Sequence, residues 1–188
     1  SAVMNGQEKV LKLLFETALQ AYGERSEALR QFIFHQDNDG FTALMHMAER
    51  NRVEDAEDLL AQLMHVSDRL ENSSNALYEA FGLRTKQGLS IFHLAVQNGS
   101  AETLIALIRG VHLIFNKSTP EFRGILSQLD ERGLTPLDRV VGDEKLLIAT
   151  LESEDRVANL KPQEKVARFK RAQMAGEFLA YGIKPSIE

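Results

Sequence analysis

The 188-residue sequence contains no cysteine, which excludes disulfides and thiolate metal sites and suits a reducing compartment. No apolar run approaches the roughly 18 residues that a bilayer-spanning helix requires. The N-terminus lacks the basic region and apolar stretch of a secretory signal. Catalytic signatures are missing as well: there is no HExxH, no GxSxG, no phosphate-binding glycine loop and no dinucleotide fingerprint. Neither a cofactor nor a metal is therefore expected. No Gly/Ser- or Pro-rich linker divides the chain into domains. The remaining composition is that of one globular unit, 44% hydrophobic and 26% charged with a net charge of −5, long enough to bury a core. Ser1-Ala-Val ahead of Met4 reads as a cloning remnant and is left out of the fold reading.

Three stretches share one pattern. They are Asp37-Asn-Asp-Gly40-Phe-Thr42-Ala-Leu44, Thr85-Lys-Gln-Gly88-Leu-Ser90-Ile-Phe92-His93 and Asp130-Glu-Arg-Gly133-Leu-Thr135-Pro136-Leu137. Each glycine sits where a tight turn needs positive φ. Thr42, Ser90 and Thr135 follow two residues later, where a hydroxyl can accept from the free amides that open a helix. Pro136 takes a first helical position, where its missing N–H costs nothing. Leu44, Phe92 and Leu137 then point inward, while Ala48 and Ala95 are small enough for neighbouring helices to approach. Asn51 and Gly99 suit the left-handed end of that short helix. A second helix is expected in each unit, over Val53 to Met64, Ala101 to Arg109 and Glu144 to Leu151.

This pattern resembles the first half of an ankyrin repeat, D-x-x-G-x-T-P-L-H-x-A-A-x-x-G, and three copies in order point to stacked helical units. The resemblance covers roughly residues 37 to 151. It implies an all-α, ankyrin-like helical solenoid whose concave surface binds another protein without catalysis. His93 falls on the family's histidine position, which implies an imidazole bonded to the turn backbone. In the third unit Asp138 stands in place of that histidine and Val140-Val141 in place of the alanine pair, as befits a terminal repeat. The unequal repeat lengths are similar to those of ankyrin proteins that intracellular bacteria inject into host cells. That likeness implies a cytoplasmic location, the host's own if the chain is such an effector.

The turn glycines lie 48 and then 45 residues apart, against about 33 in ordinary ankyrin repeats. Each insertion is expected to form an additional short helix or an extended hairpin on one edge of the stack, with helix signals over Asn75 to Phe81 ending at Gly82 and at the cap Ser118-Thr119-Pro120-Glu121. A single unit over 4–188 follows: an N-terminal helical cap (4–36), repeat 1 with its insertion (37–84), repeat 2 with its insertion (85–129), repeat 3 (130–160) and a C-terminal helix (161–188). In the cap, Asn5 and Glu8 form a capping box ahead of Val10, Leu11, Leu14 and Phe15, and Ser26 to His35 reads as a second helix. The C-terminal helix opens at Pro162 and runs to about Tyr181, with Val166, Phe169, Ala172 and Leu179 as its packing stripe.

The binding residues are expected at the turns. Phe41, Leu89 and Leu134 each follow a turn glycine and would line up as an apolar ladder, rimmed by Asp39, Lys86, Gln87, Glu131 and Arg132; burial of this ladder under the insertions is the competing reading. Asp37, Asp39 and Gly40 have part of a calcium loop's spacing, but His35 and His46 stand where that loop needs Asp and Glu, so calcium is not expected. The five histidines show no short metal-ligand spacing. Between Lys161 and Arg171 lie five basic residues (Lys161, Lys165, Arg168, Lys170, Arg171) and one acid, Glu164, in a chain of net −5. A solvated helix face is the plainer explanation, and a membrane surface the functional one. The acidic remainder disfavours nucleic acid. Two further classes stay open: an accessory module of a larger enzyme, and a peripheral membrane adaptor using the basic helix.

Overall fold

The computed structural model describes residues 17, 34–50, 57, 60–61, 73–98, 100–141 and 162–185, and of residues 73–76, 162, 165 and 168 the backbone alone. Among the described residues the fold is all-helical, with no strand. The helices are α1 (Ala43–Glu49), α2 (Ser73–Gly82), α3 (Ile91–Gln97), α4 (Ala101–Ile114), α5 (Pro120–Leu126), α6 (Pro136–Val141) and α7 (Pro162–Ala180). Most of the expected N-terminal cap, most of the Val53–Met64 helix, the Glu144–Leu151 helix, Asn51 and Gly99 lie outside the described residues.

Local chemistry starts each short helix. Thr42 Oγ1 accepts from the Met45 amide at 3.2 Å, Ser100 Oγ from Thr103 at 3.1 Å and Thr119 Oγ1 from Phe122 at 3.3 Å. Each bond satisfies one of the amides that a helix N-terminus leaves without an intrahelical partner. Thr135 and Asp138 cap α6 reciprocally: Asp138 N–H donates to Thr135 Oγ1 (3.1 Å) and Thr135 N–H to Asp138 Oδ2 (2.8 Å). Asp138 thus works as the acid of a capping box. Helix α7 ends in a Schellman motif, with Gly182 at φ 75° and amides of Ile183 and Gly182 donating to Phe178 and Leu179 carbonyls.

The three turns are built alike. In each, the first residue's amide donates to the fifth residue's carbonyl: Asp37 to Phe41, Thr85 to Leu89 and Asp130 to Leu134, at 2.9, 3.0 and 2.9 Å. The glycine amide donates back to the first carbonyl, and the first side chain accepts from the third and fifth amides through Asp37 Oδ1, Thr85 Oγ1 and Asp130 Oδ1. Gly40, Gly88 and Gly133 take φ of 82°, 71° and 73°, a left-handed conformation that disfavours any residue with a Cβ. The turns also meet one another. A Cβ on Gly40 would lie 2.9 Å from Lys86 N, and one on Gly88 2.7 Å from Glu131 Cγ, whereas one on Gly133 would meet nothing within 4 Å.

The helices behind the turns follow the same order. Helix α1 packs on α3 and α3 on α6, forming one column. Ala48 and Ala95 are fully buried there, as their size allows. Helix α4 packs behind α3 and, contrary to the expected end at Arg109, continues through Gly110 to Ile114. A Cβ on Gly110 would sit 2.9 Å from Leu60 Cδ1, so this glycine lets another segment approach instead of ending the helix. Both insertions form helices, α2 and α5, which pack on each other; Gln128 Nε2 donates to the Phe81 carbonyl between them. Helix α7 packs against both α4 and α6.

The buried face of α7 differs from the expected stripe. Phe169 is 71% exposed and Val166 57%, and Ala172 and Leu179 also face outward, while Met174, Ala175 and Phe178 enter the core. Both sets recur at helical spacing. What selects between them is the chain just beyond the helix, where Ile183 is buried and the Tyr181 ring packs on His112 and Phe122 with centroids 5.2 and 5.6 Å away.

Candidate recognition groove

Three segments far apart in sequence enclose a groove of about 820 Å³. One wall is the end of α3, with Val96, Gln97 and Asn98. The second is the third turn with α6, contributing Arg132, Leu134, Asp138, Arg139 and Val140. Helix α7 closes it with Val166, Lys170, Arg171 and Met174. The lining combines aliphatic side chains with four cations.

Asp130 fixes the second wall. Its Oδ1 accepts the Arg132 and Leu134 amides, and Oδ2 accepts from Arg139 Nε at 2.7 Å. Burial pushes this carboxyl up, but the Leu134 amide, Arg139 and the Arg132 amide together hold it below its usual value. The first turn has the equivalent pair, Asp37 Oδ2 to His46 Nε2 at 2.7 Å. There the Phe41 amide is the main influence holding the Asp37 carboxyl down. Both pairs join a turn-opening aspartate to a residue nine positions on; in the middle unit Thr85 and Leu94 take these places. Asp37 is committed to its turn and to His46, and among the described residues no group of His, Asp and Glu could hold a metal ion.

His93 joins the second unit to the third. Its Nε2 donates to the Leu134 carbonyl at 3.0 Å, and its Nδ1 accepts from Ser90 N–H (3.2 Å) and Ser90 Oγ (2.8 Å). Since a carbonyl only accepts, the proton of the neutral ring belongs on Nε2. Burial lowers the imidazole below its ordinary value of 6.5, an effect the Leu134 carbonyl partly offsets. A depressed histidine contributes stability at pH above 6.5 that is lost as pH falls through 6.5 toward the folded value, because the unfolded chain takes up the proton first. His93→Ala should therefore cost roughly 1–3 kcal/mol at neutral pH by leaving turn groups unpaired. Melting curves from neutral to mildly acidic pH should show a shallower pH dependence in the variant. Parallel curves for the two proteins would contradict this role.

The expected apolar ladder takes a different form. Leu89 is 5% exposed and belongs to the core, because its turn lies between the other two. Phe41 is half-buried and stacks on His46, with centroids 4.8 Å apart. Leu134 is half-buried and lines the groove together with Arg132. Asp39, Lys86, Gln87 and Glu131 are exposed but are not among the groove's lining residues. Of the basic cluster, Lys170 and Arg171 line the groove; Lys161 and the side chains of Lys165 and Arg168 lie outside the described residues.

No family model, curated protein or solved structure matches this chain. Its groove and turns must speak for themselves. One contact ladder carries no compositional signal: Gln36 Nε2 donates to the Arg84 carbonyl at 2.8 Å, and the Arg84 guanidinium donates to the Leu129 carbonyl. Gln36, Arg84 and Leu129 each directly precede a turn. That shared place in the repeat is the signal from which the ladder could have been read. Among the described residues no helix is long and apolar enough to cross a membrane.

Proposed function

We propose that this chain is a non-catalytic, ankyrin-like recognition module that binds another protein, with the groove as the docking place on its concave surface. The observation that carries this reading is the groove itself. Aliphatic side chains and cations from α3, α6 and α7 line one accessible space, a mixture suited to partner binding. The like-built turns, stacked in order, support the ankyrin resemblance independently.

A photoreactive residue in place of Gln97, which lines the groove, should cross-link a partner protein in cell extract. The same residue in place of exposed Lys117, outside the lining, should not. Equal labelling from both positions, or none from Gln97, would remove the groove from consideration. A peripheral membrane adaptor is the second reading, favoured by the exposure of Phe169 and Val166 on the basic helix α7. It requires salt-sensitive binding to anionic vesicles that is lost in Phe169→Ser.

A further inference from the structure

We infer that the groove takes an acidic peptide segment carrying at least one aliphatic side chain. This rests on the recognition reading above and adds the chemistry of the partner. Arg132 on the third turn and Lys170 on α7 stand on different walls of one space. Arg139 is already held by Asp130. Asp138, the carboxylate of the lining, is buried and accepts the Thr135 amide within the cap of α6. The accessible charge of the groove is therefore positive, although the chain as a whole is −5.

Complementarity selects the ligand. Partner carboxylates in the groove gain attraction from Arg132 on one wall and Lys170 on another, and the arginine fork suits bidentate pairing. A basic partner would meet like charge at the same place. Leu134 and Val166 are accessible and line the groove together with the buried Met174, so an aliphatic side chain can leave water beside them. A short peptide feels mainly the local field. A long polyanion such as nucleic acid also feels the acidic remainder of the chain. A flat membrane surface cannot enter a groove bounded by three segments.

The test is selection of a random-peptide phage library on the intact protein, followed by anisotropy measurements on the best synthetic peptide. Enrichment in Asp and Glu together with Leu, Ile, Val or Met is expected. Binding should weaken about tenfold or more in Arg132→Glu and in Lys170→Glu, and less in Arg132→Gln and Lys170→Gln. Melting temperatures of all four variants should stay near the parent's, and the glutamine pair keeps the test informative if a reversal disturbs folding. Added salt should weaken the complex. Selected peptides without acidic excess that still lose binding in Leu134→Asp would overturn the charge inference and leave the recognition reading standing. Acidic peptides indifferent to Arg132 and Lys170 would overturn it too, as would tighter binding of oligothymidylate or phosphatidylserine vesicles. A selection that enriches nothing overturns the inference, while the Gln97 cross-link judges the recognition reading separately.

Discussion

Truncating Phe178 to alanine should lower the unfolding free energy by about 3–5 kcal/mol, the usual range for a fully buried phenylalanine. Phe169→Ala, nine residues earlier on the same helix, should stay within about 0.5 kcal/mol, as exposed substitutions generally do. Phe178 has no exposed surface, and its carbonyl accepts the Ile183 amide that closes α7. Removing its ring would leave a cavity where α7 meets the rest of the core. Chemical denaturation of the two variants checks this directly. A larger loss in Phe169→Ala than in Phe178→Ala would mean that α7 docks through its other face.

Alanine at the turn glycines should order the three variants by what lies above each turn. Every one meets the left-handed penalty of about 1–2 kcal/mol for an L-residue. Gly133→Ala adds nothing further, since its Cβ would face open space. Gly40→Ala would place a methyl 2.9 Å from Lys86 N and 3.0 Å from Thr85 Cα, backbone atoms that cannot rotate away. It would also crowd the 2.9 Å bond from Lys86 N–H to the Asp39 carbonyl. Overpacking of this kind typically costs a further 1–3 kcal/mol or so. Gly88→Ala should fall between them, because its nearest obstacle is the movable Glu131 side chain, with the Glu131 amide at 3.0 Å behind it. Thermal melts should give the order Gly133, Gly88, Gly40 from mildest to most severe. Equal losses would mean that the turns do not support one another.

The turns were legible because their requirements are local. A glycine for positive φ, a side chain that accepts its own backbone amides and a hydroxyl at the helix start all act within a few residues. The insertion helices were legible for the same reason, through the Thr119-Pro120-Glu121 opening and the run ending at Gly82. Helix α7 was legible as a helix but not in its orientation. Val166, Phe169, Ala172 and Leu179 are as regularly spaced as Met174, Ala175 and Phe178, so tertiary partners decided. Helix α4 runs past the expected end at Arg109, since the sequence does not tell a glycine that ends a helix from one that, like Gly110, admits a neighbour. Of the groove, Arg132 and Leu134 were foreseen at the turns, and Lys170 and Arg171 only as part of a basic helix, since its walls come from segments whose closeness no periodicity encodes.

The ladder from Gln36 through Arg84 to Leu129 has a direction. Each rung donates forward to the carbonyl just before the next turn, and at Leu129 the side chain has nothing to donate. The third turn's glycine faces open space at the same end. Growth of such an array by duplication would thus be asymmetric. A copy of the middle unit inserted behind itself brings both the donor and the acceptor that its neighbours need. A copy of the third unit would bring an acceptor but no donor, so this ladder would gain no rung from it.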